Sequence, residues 1–198
     1  GKIASAVVID TMAPYLFMLM PWALARLNGG AQSLAEGLRN AVHQAQAAVR
    51  NVARREEIDR RMGTTLTAAF VKWPDLYIVH VGDSRCYTYR DGLRRLTRDH
   101  TMERKLMGQR MVTSEKSNRP EFENILVNAV GGENDELEVE LHYAELSAGD
   151  ILLLCTDGLT ARVSDSEIEK AIKGAVDGMP VEQCVRALIE TARRKGGT

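Results

Sequence analysis

Two short segments hold the residues best suited to chemistry: Val79-His80-Val81-Gly82-Asp83-Ser84-Arg85 and Leu153-Leu154-Cys155-Thr156-Asp157-Gly158-Leu159. Each runs an apolar strand straight into a Gly-Asp or Asp-Gly pair. A carboxylate at the rigid end of a strand is well placed to ligate a hard cation such as Mg²⁺ or Mn²⁺ through oxygen. An aspartate beside a glycine is ordinarily a turn residue that satisfies backbone amides, and Asp91-Gly92 reads that way. Two strand-end aspartates 74 positions apart point instead to a metal-centred site built between two sheets. For Asp83 one other reading stays open, an internal bond to Ser84 or Arg85.

The elements that must position these residues follow from periodicity. Residues 1–20 read as a helix with Ile3, Val7 and Tyr15 on one face, closed by Asn28-Gly29-Gly30. From Ser33 to about Arg55, Leu34, Leu38, Val42, Ala45, Val49 and Val52 recur at helical steps, and Ser33 with Glu36 forms a capping box. The period then switches. Thr64–Val71, Leu76–Val81, Cys86–Arg90 and Leu93–Leu96 read as an antiparallel meander with turns at Trp73-Pro74-Asp75 and Asp91-Gly92. A charged excursion spans 102–123. Leu137–Tyr143 alternates as a half-buried strand, and Ile151–Cys155 reads as a fully buried one. Ser164 with Glu167 caps a helix, and Pro180 opens a last one that runs to about Arg194. This order predicts an α+β fold, a four-layer α-β-β-α sandwich of two mostly antiparallel sheets flanked by helix pairs.

Composition bounds the function. The 198 residues suit one domain, 1–198, and a net charge of −1 argues against nucleic-acid binding by bulk charge. Cys86, Cys155 and Cys184 lack CxxC spacing and read as small core residues, which fits a reducing cytoplasm. Ala13–Leu27 is the most membrane-like stretch. It falls short of the roughly 20 residues of a span, and Pro14 and Pro21 interrupt it, so it reads as a buried helix with a proline break. No membrane association is expected.

Six motifs in order then carry a resemblance: Met62-Gly63-Thr64-Thr65-Leu66, Val81-Gly82-Asp83-Ser84-Arg85, Leu96-Thr97-Arg98-Asp99-His100-Thr101, Asn124-Ile125-Leu126-Val127-Asn128-Ala129-Val130-Gly131, Leu146-Ser147-Ala148-Gly149-Asp150 and Cys155-Thr156-Asp157-Gly158-Leu159. Together they resemble the PP2C (PPM) family of metal-dependent protein phosphatases, in its short bacterial form. The resemblance implies a binuclear Mn²⁺/Mg²⁺ centre, sometimes with a third ion, that hydrolyses phosphoserine and phosphothreonine by direct attack of a metal-bridging water. It implies Asp157 as a core metal ligand, Asp83 as an accessory one, and Thr156 as a hydroxyl or carbonyl near the third ion. It implies 102–123 as the flap beside the active site, and phosphoproteins and a cognate Ser/Thr kinase as partners. It gives His100 a structural role after a strand. Arg85, Arg94 and Arg98 remain candidates to touch phosphate.

The family pattern also has an upstream Asp-Gly segment, a phosphate-binding Arg and a C-terminal Asp-Asn strand. The resemblance places all of these outside residues 1–198, so the fold is expected to be incomplete at both ends and Asp83 and Asp157 to be only part of a ligand set. Two other functions stay open: a catalytically inactive module of the same fold that binds a kinase or phosphoprotein, and a hydrolase of other phosphoesters.

Overall fold

The computed structural model describes residues 1–25, 30–57, 59, 61–102, 126–132 and 136–197, with backbone alone at 19–25 and 30–33. It forms two compact units, Gly1–Gly82 with His100–Ala144, and Asp83–Asp99 with Glu145–Thr198.

The first unit opens with helix α1 (Lys2–Ala25) and helix α2 (Gly30–Arg55). Helix α1 runs unbroken through Pro14 and Pro21, contrary to the expected break. A proline removes one amide from the ladder, and the turns on either side can carry the helix past it. Its buried face is Ala4, Val8 and Met12, at four-residue steps, while Ile3 is 51% and Phe17 79% exposed. Of the expected face, Val7 and Tyr15 are partly buried against the core and Ile3 alone is exposed, so the described side chains of α1 are buried on one side. Helix α2 keeps its predicted face, with Leu34, Leu38, Val42, Ala45 and Val49 buried and Val52 partly so. It starts three residues earlier than expected, at Gly30. Ser33 thus lies inside the first turn and is not an N-cap, which overturns the capping box. Of the expected loop Asn28-Gly29-Gly30, positions 28 and 29 lie outside the described residues, and Gly30 opens α2.

Strands β1 (Gly63–Thr64), β2 (Leu66–Lys72) and β3 (Asp75–Val81) follow. Strands β2 and β3 form the expected hairpin about Trp73-Pro74, in register from Leu66↔Val81 to Lys72↔Asp75. The centre of its sheet is β3, with Leu76 and Ile78–Val81 buried, between β2 and β7 (Glu140–Glu145). That last strand begins three residues later than its alternation suggested. Strand β6 (Val130–Gly131) pairs with β1 through Gly63↔Gly131 and Thr64↔Val130. The buried core joins Val8, Leu38, Val42, Val49, Val79, Val81 and Val130.

The expected meander does not continue past β3. Strands β4 (Arg85–Tyr89) and β5 (Leu93–Arg95) pair with each other, and β4 pairs with β8 (Ile151–Cys155), giving a separate sheet in the order β5-β4-β8. Alternation identifies a strand but not its neighbour, and the tight turns that mark hairpins are missing between Val81 and Arg85. Strand β8 is not fully buried, since Leu154 is 43% exposed. A one-turn helix, α3 (Asp157–Thr160), follows it, then α4 (Asp165–Val176) and α5 (Val181–Arg194). The Ser164–Glu167 capping box forms as read, and Pro180 sits at the N-cap of α5. Cys184, Leu188 and Ala192 of α5 pack with Ile168, Ile172, Val163 and Tyr89.

The result is a mixed α+β fold with antiparallel sheets. Among the described residues no helix is long and apolar enough to cross a membrane. Of the excursion 102–123, all but Met102 lies outside the described residues.

Candidate metal centre

Asp83 follows the end of β3, and Asp157 opens α3 just beyond β8. The Asp83 carboxyl is pushed above the usual carboxylate range, chiefly by burial and next by the negative charge of Asp157. The two aspartates are therefore electrostatic neighbours within the second unit. The Arg85 guanidinium offsets this repulsion least, because it is turned toward Asp99. Two carboxylates at one end of the sheet, one of them half-buried, form an anionic set of oxygen donors. Hard divalent ions take such oxygens, so the residues fit Mg²⁺ or Mn²⁺. Thr156 is the N-cap of α3 and exposed; its side chain makes no capping bond, which leaves the hydroxyl disposed beside Asp157, while its carbonyl accepts from the Leu159 and Thr160 N–H groups at 3.1 and 3.4 Å.

Strand register explains the placement. The pair Arg85↔Cys155 aligns the start of β4 with the end of β8, so the residues just before Arg85 and just after Cys155 leave the sheet at the same end. Asp83 and Thr156-Asp157 are those residues. The sequence alone placed both at strand ends, and the antiparallel pairing brings the ends together.

Arg85 is not a free phosphate ligand. Its Nε lies 3.2 Å from both carboxylate oxygens of Asp99, and its Nη2 donates to Oδ2 at 2.8 Å. Its Nη1 donates to the Tyr87 hydroxyl at 3.2 Å, and that hydroxyl donates to Asp165 at 2.8 Å. Arg95 is hydrogen-bonded to the same Asp99 carboxylate. The internal bonds considered for Asp83 are thus replaced by an Arg85–Asp99 pair. Sequence reasoning missed Asp99, Tyr87 and Asp165; the Asp99 signal was present in the Arg-Asp-His motif, but its partner lies 14 residues away. Burial pushes the thiols of Cys86 and Cys155 up to about 11, so both are inert core groups, as expected.

His100 holds a structural position, as the motif implied. Its Nδ1 accepts from the Gly82 N–H at 3.2 Å and lies 2.7 Å from the Asn128 amide nitrogen. Asn128 is itself fixed by Glu138, donating to its carbonyl at 2.7 Å and accepting from its N–H at 3.3 Å. Two N–H donors on Nδ1 leave the ring proton on Nε2. Ligand atoms of His80, His100 and Glu140 lie within 4.8 Å of one another. That grouping resembles a metal site, yet a ligating histidine donates from its second nitrogen, and His100 accepts there. The cluster is better described as a polar support, with Thr67 Oγ1 2.8 Å from His80 Nδ1 and the His142 ring beside Glu140.

The model of the family "Protein phosphatase 2C" matches residues 1–196. The serine/threonine protein phosphatase PstP of Mycobacterium tuberculosis is 35% identical over 202 residues, covering all of this chain and 35% of its own length. The serine/threonine phosphatase stp of Listeria monocytogenes is 33% identical over 144 residues, 72% of this chain and 57% of that protein. The chain thus spans about a third of the mycobacterial relative's length and just over half of the listerial one's. A crystal structure of the M. tuberculosis phosphatase superposes with a TM-score of 0.80 at 33% identity, covering 100% of this chain and 77% of that one. A structure of the PstP catalytic domain in complex with two manganese ions gives 0.74 at 34% identity, covering 100% and 76%.

Proposed function

The chain belongs to the protein phosphatase 2C family, and we propose that it forms the core of a Mn²⁺- or Mg²⁺-dependent protein serine/threonine phosphatase. The observation that carries this reading is the like-charge pair of Asp83 and Asp157 at adjoining strand ends. Asp157 serves as a core ligand, Asp83 as an accessory one, and Thr156 adds a hydroxyl or carbonyl oxygen. Water and further carboxylates of the binuclear centre complete the coordination, since three residues are too few for a hard cation. Held by these residues, the cations would lower the pKa of a water and clamp phosphoryl oxygens, the chemistry that direct hydrolysis of a phosphoester needs. The protein's own share is to hold two carboxylates at fixed separation on a sheet.

Residues 1–198 act within a single phosphatase domain, with 102–123 as its flap. Substrates are phosphoserine and phosphothreonine proteins, with a cognate Ser/Thr kinase as the opposing partner. A cytoplasmic setting agrees with three unpaired cysteines. The test is hydrolysis of p-nitrophenyl phosphate by the full-length protein. Turnover should require Mn²⁺ or Mg²⁺, stop on chelation, and be abolished by Asp157→Ala. A full-length protein that binds Mn²⁺ but turns over neither this ester nor a phosphothreonine peptide would be the non-enzymatic module instead.

A further inference from the structure

We propose that Gly197 is a positioning residue for the metal centre: its bare α-carbon spaces the end of α5 from α3 and so sets where α3 presents Asp157. The metal half of this inference rests on the proposed function; the packing half does not.

Helix α5 ends in a Schellman turn. The Gly196 N–H donates to the Arg193 carbonyl at 3.0 Å and the Gly197 N–H to the Ala192 carbonyl at 2.9 Å, and Gly196 turns the chain with φ of +87°. That motif needs glycine at the turning residue, and the next position commonly carries an apolar side chain. Gly196 stands in open space, where a Cβ would meet nothing within 4 Å. Gly197 does not. A Cβ there would lie 2.9 Å from the Ala192 oxygen, closer than side-chain carbons come, and 3.4 Å from the Gly158 oxygen. Its α-carbon thus sits between one carbonyl of α5 and one of α3.

The contact with α3 bears on the metal ligand, because Gly158 directly follows Asp157. The turn is tied within itself: the Ala161 N–H donates to the Asp157 carbonyl and the Val163 N–H to the Leu159 carbonyl, both at 2.9 Å. It therefore shifts as one piece. Leu159 packs on Leu188 and Ala192, but an apolar groove of about 420 Å³ runs beside them, lined by Leu154, Leu159, Val185 and Ile189. Side chains leave the turn room to move, so the backbone contact at Gly197 sets its seating. A methyl at Gly197 would have to displace one of the two carbonyls. The Ala192 carbonyl is held by two donors, the Lys195 and Gly197 N–H groups, which leaves α3 to yield. Ligand sets tolerate only about half an ångström of displacement, and loss of groups that orient a ligand typically weakens metal affinity 10- to 100-fold.

The tests use the full-length protein. Hydrogen exchange of metal-free protein should show the Ala161 amide losing protection in Gly197→Ala; retained protection overturns the packing half. Mn²⁺ binding, followed by calorimetry without substrate, should weaken by about 10-fold or more in Gly197→Ala. Two controls should leave Mn²⁺ affinity near wild type. Gly196→Asn adds a side chain that tolerates the left-handed turn and has nothing to push against, and Ile172→Val lowers core stability from α4. Equal Mn²⁺ affinity in wild type and Gly197→Ala overturns the inference, as does either control weakening as much as Gly197→Ala. Should Gly197→Ala fail to fold, the wild type still decides: coupling is reciprocal, so Mg²⁺ must slow exchange of the Gly197 amide, and an unchanged rate overturns the metal half. A wild-type protein that binds neither ion overturns the proposed function and the metal half together, while Ala161 exchange still decides the packing half.

Discussion

Arg85 and Asp99 meet as a fork on a carboxylate, Nε 3.2 Å from both oxygens and Nη2 2.8 Å from one, with side chains 23% and 15% exposed. Asp99 also receives Arg95, so one carboxylate serves two guanidinium groups. Removing it would leave two partly buried cations facing each other, and breaking a buried pair in this way is strongly destabilising. Asp99→Asn should lower the unfolding free energy by about 2–4 kcal/mol in urea titration. Arg85→Lys should cost less but still measurably, because a point charge cannot reproduce the fork.

Asp83→Asn should act in opposite directions with and without metal. In metal-free protein it removes a charge that burial and Asp157 both disfavour. Its melting temperature should rise by about 1–3 °C. Wild-type protein should gain stability on adding Mn²⁺, and the variant should gain less. A variant that is less stable than wild type without metal would refute the like-charge reading.

Asp150 supplies an acid-sensitive contact. Its side chain, 4% exposed, accepts from Arg90 at 2.7 and 2.6 Å and from the Ser147 N–H at 2.8 Å. Arg90 is the main cause that holds its carboxyl down at about 2. A carboxyl depressed in the folded state adds stability above its unfolded value near 4, and that stability drains as pH falls from about 4 through 2. Arg90 is half exposed, so the pair is partly screened. Asp150→Asn should therefore cost about 1 kcal/mol at pH 7 and flatten the acid limb of the stability curve.

Gly82→Ala should be among the most damaging small substitutions. It combines a positive φ with a methyl 2.4 Å from Thr65 Cγ2. Equilibrium unfolding should show a loss of about 2–4 kcal/mol, well above an ordinary surface glycine replacement.

What could be read from residues alone depended on how local the physics was. The α2 face, the Ser164–Glu167 box and the β2–β3 hairpin are set within a few neighbours, and all three form as read. The two aspartates were found because Gly-Asp and Asp-Gly after apolar runs are local signals as well. The break between β3 and β4 was not legible, since pairing partners are chosen by packing across the chain. Ile3 was misplaced because α1 is apolar on all sides, so periodicity gave it no preferred face. The Arg85–Asp99 pair and the His100–Gly82 hydrogen bond span 14 and 18 residues, with no spacing rule to announce them.

Glu167 closes the capping box of α4 and also receives the Lys195 ammonium at 2.7 and 2.8 Å, just beyond the end of α5. The last turn of one helix is thereby tethered to the first turn of another. Fraying of the basic Arg193-Arg194-Lys195 segment, a trypsin target, frees Glu167 from Lys195 while its bonds to Ser164 remain. Glu167→Gln should therefore speed trypsin cleavage at Arg193-Arg194-Lys195, read by peptide mapping against wild type.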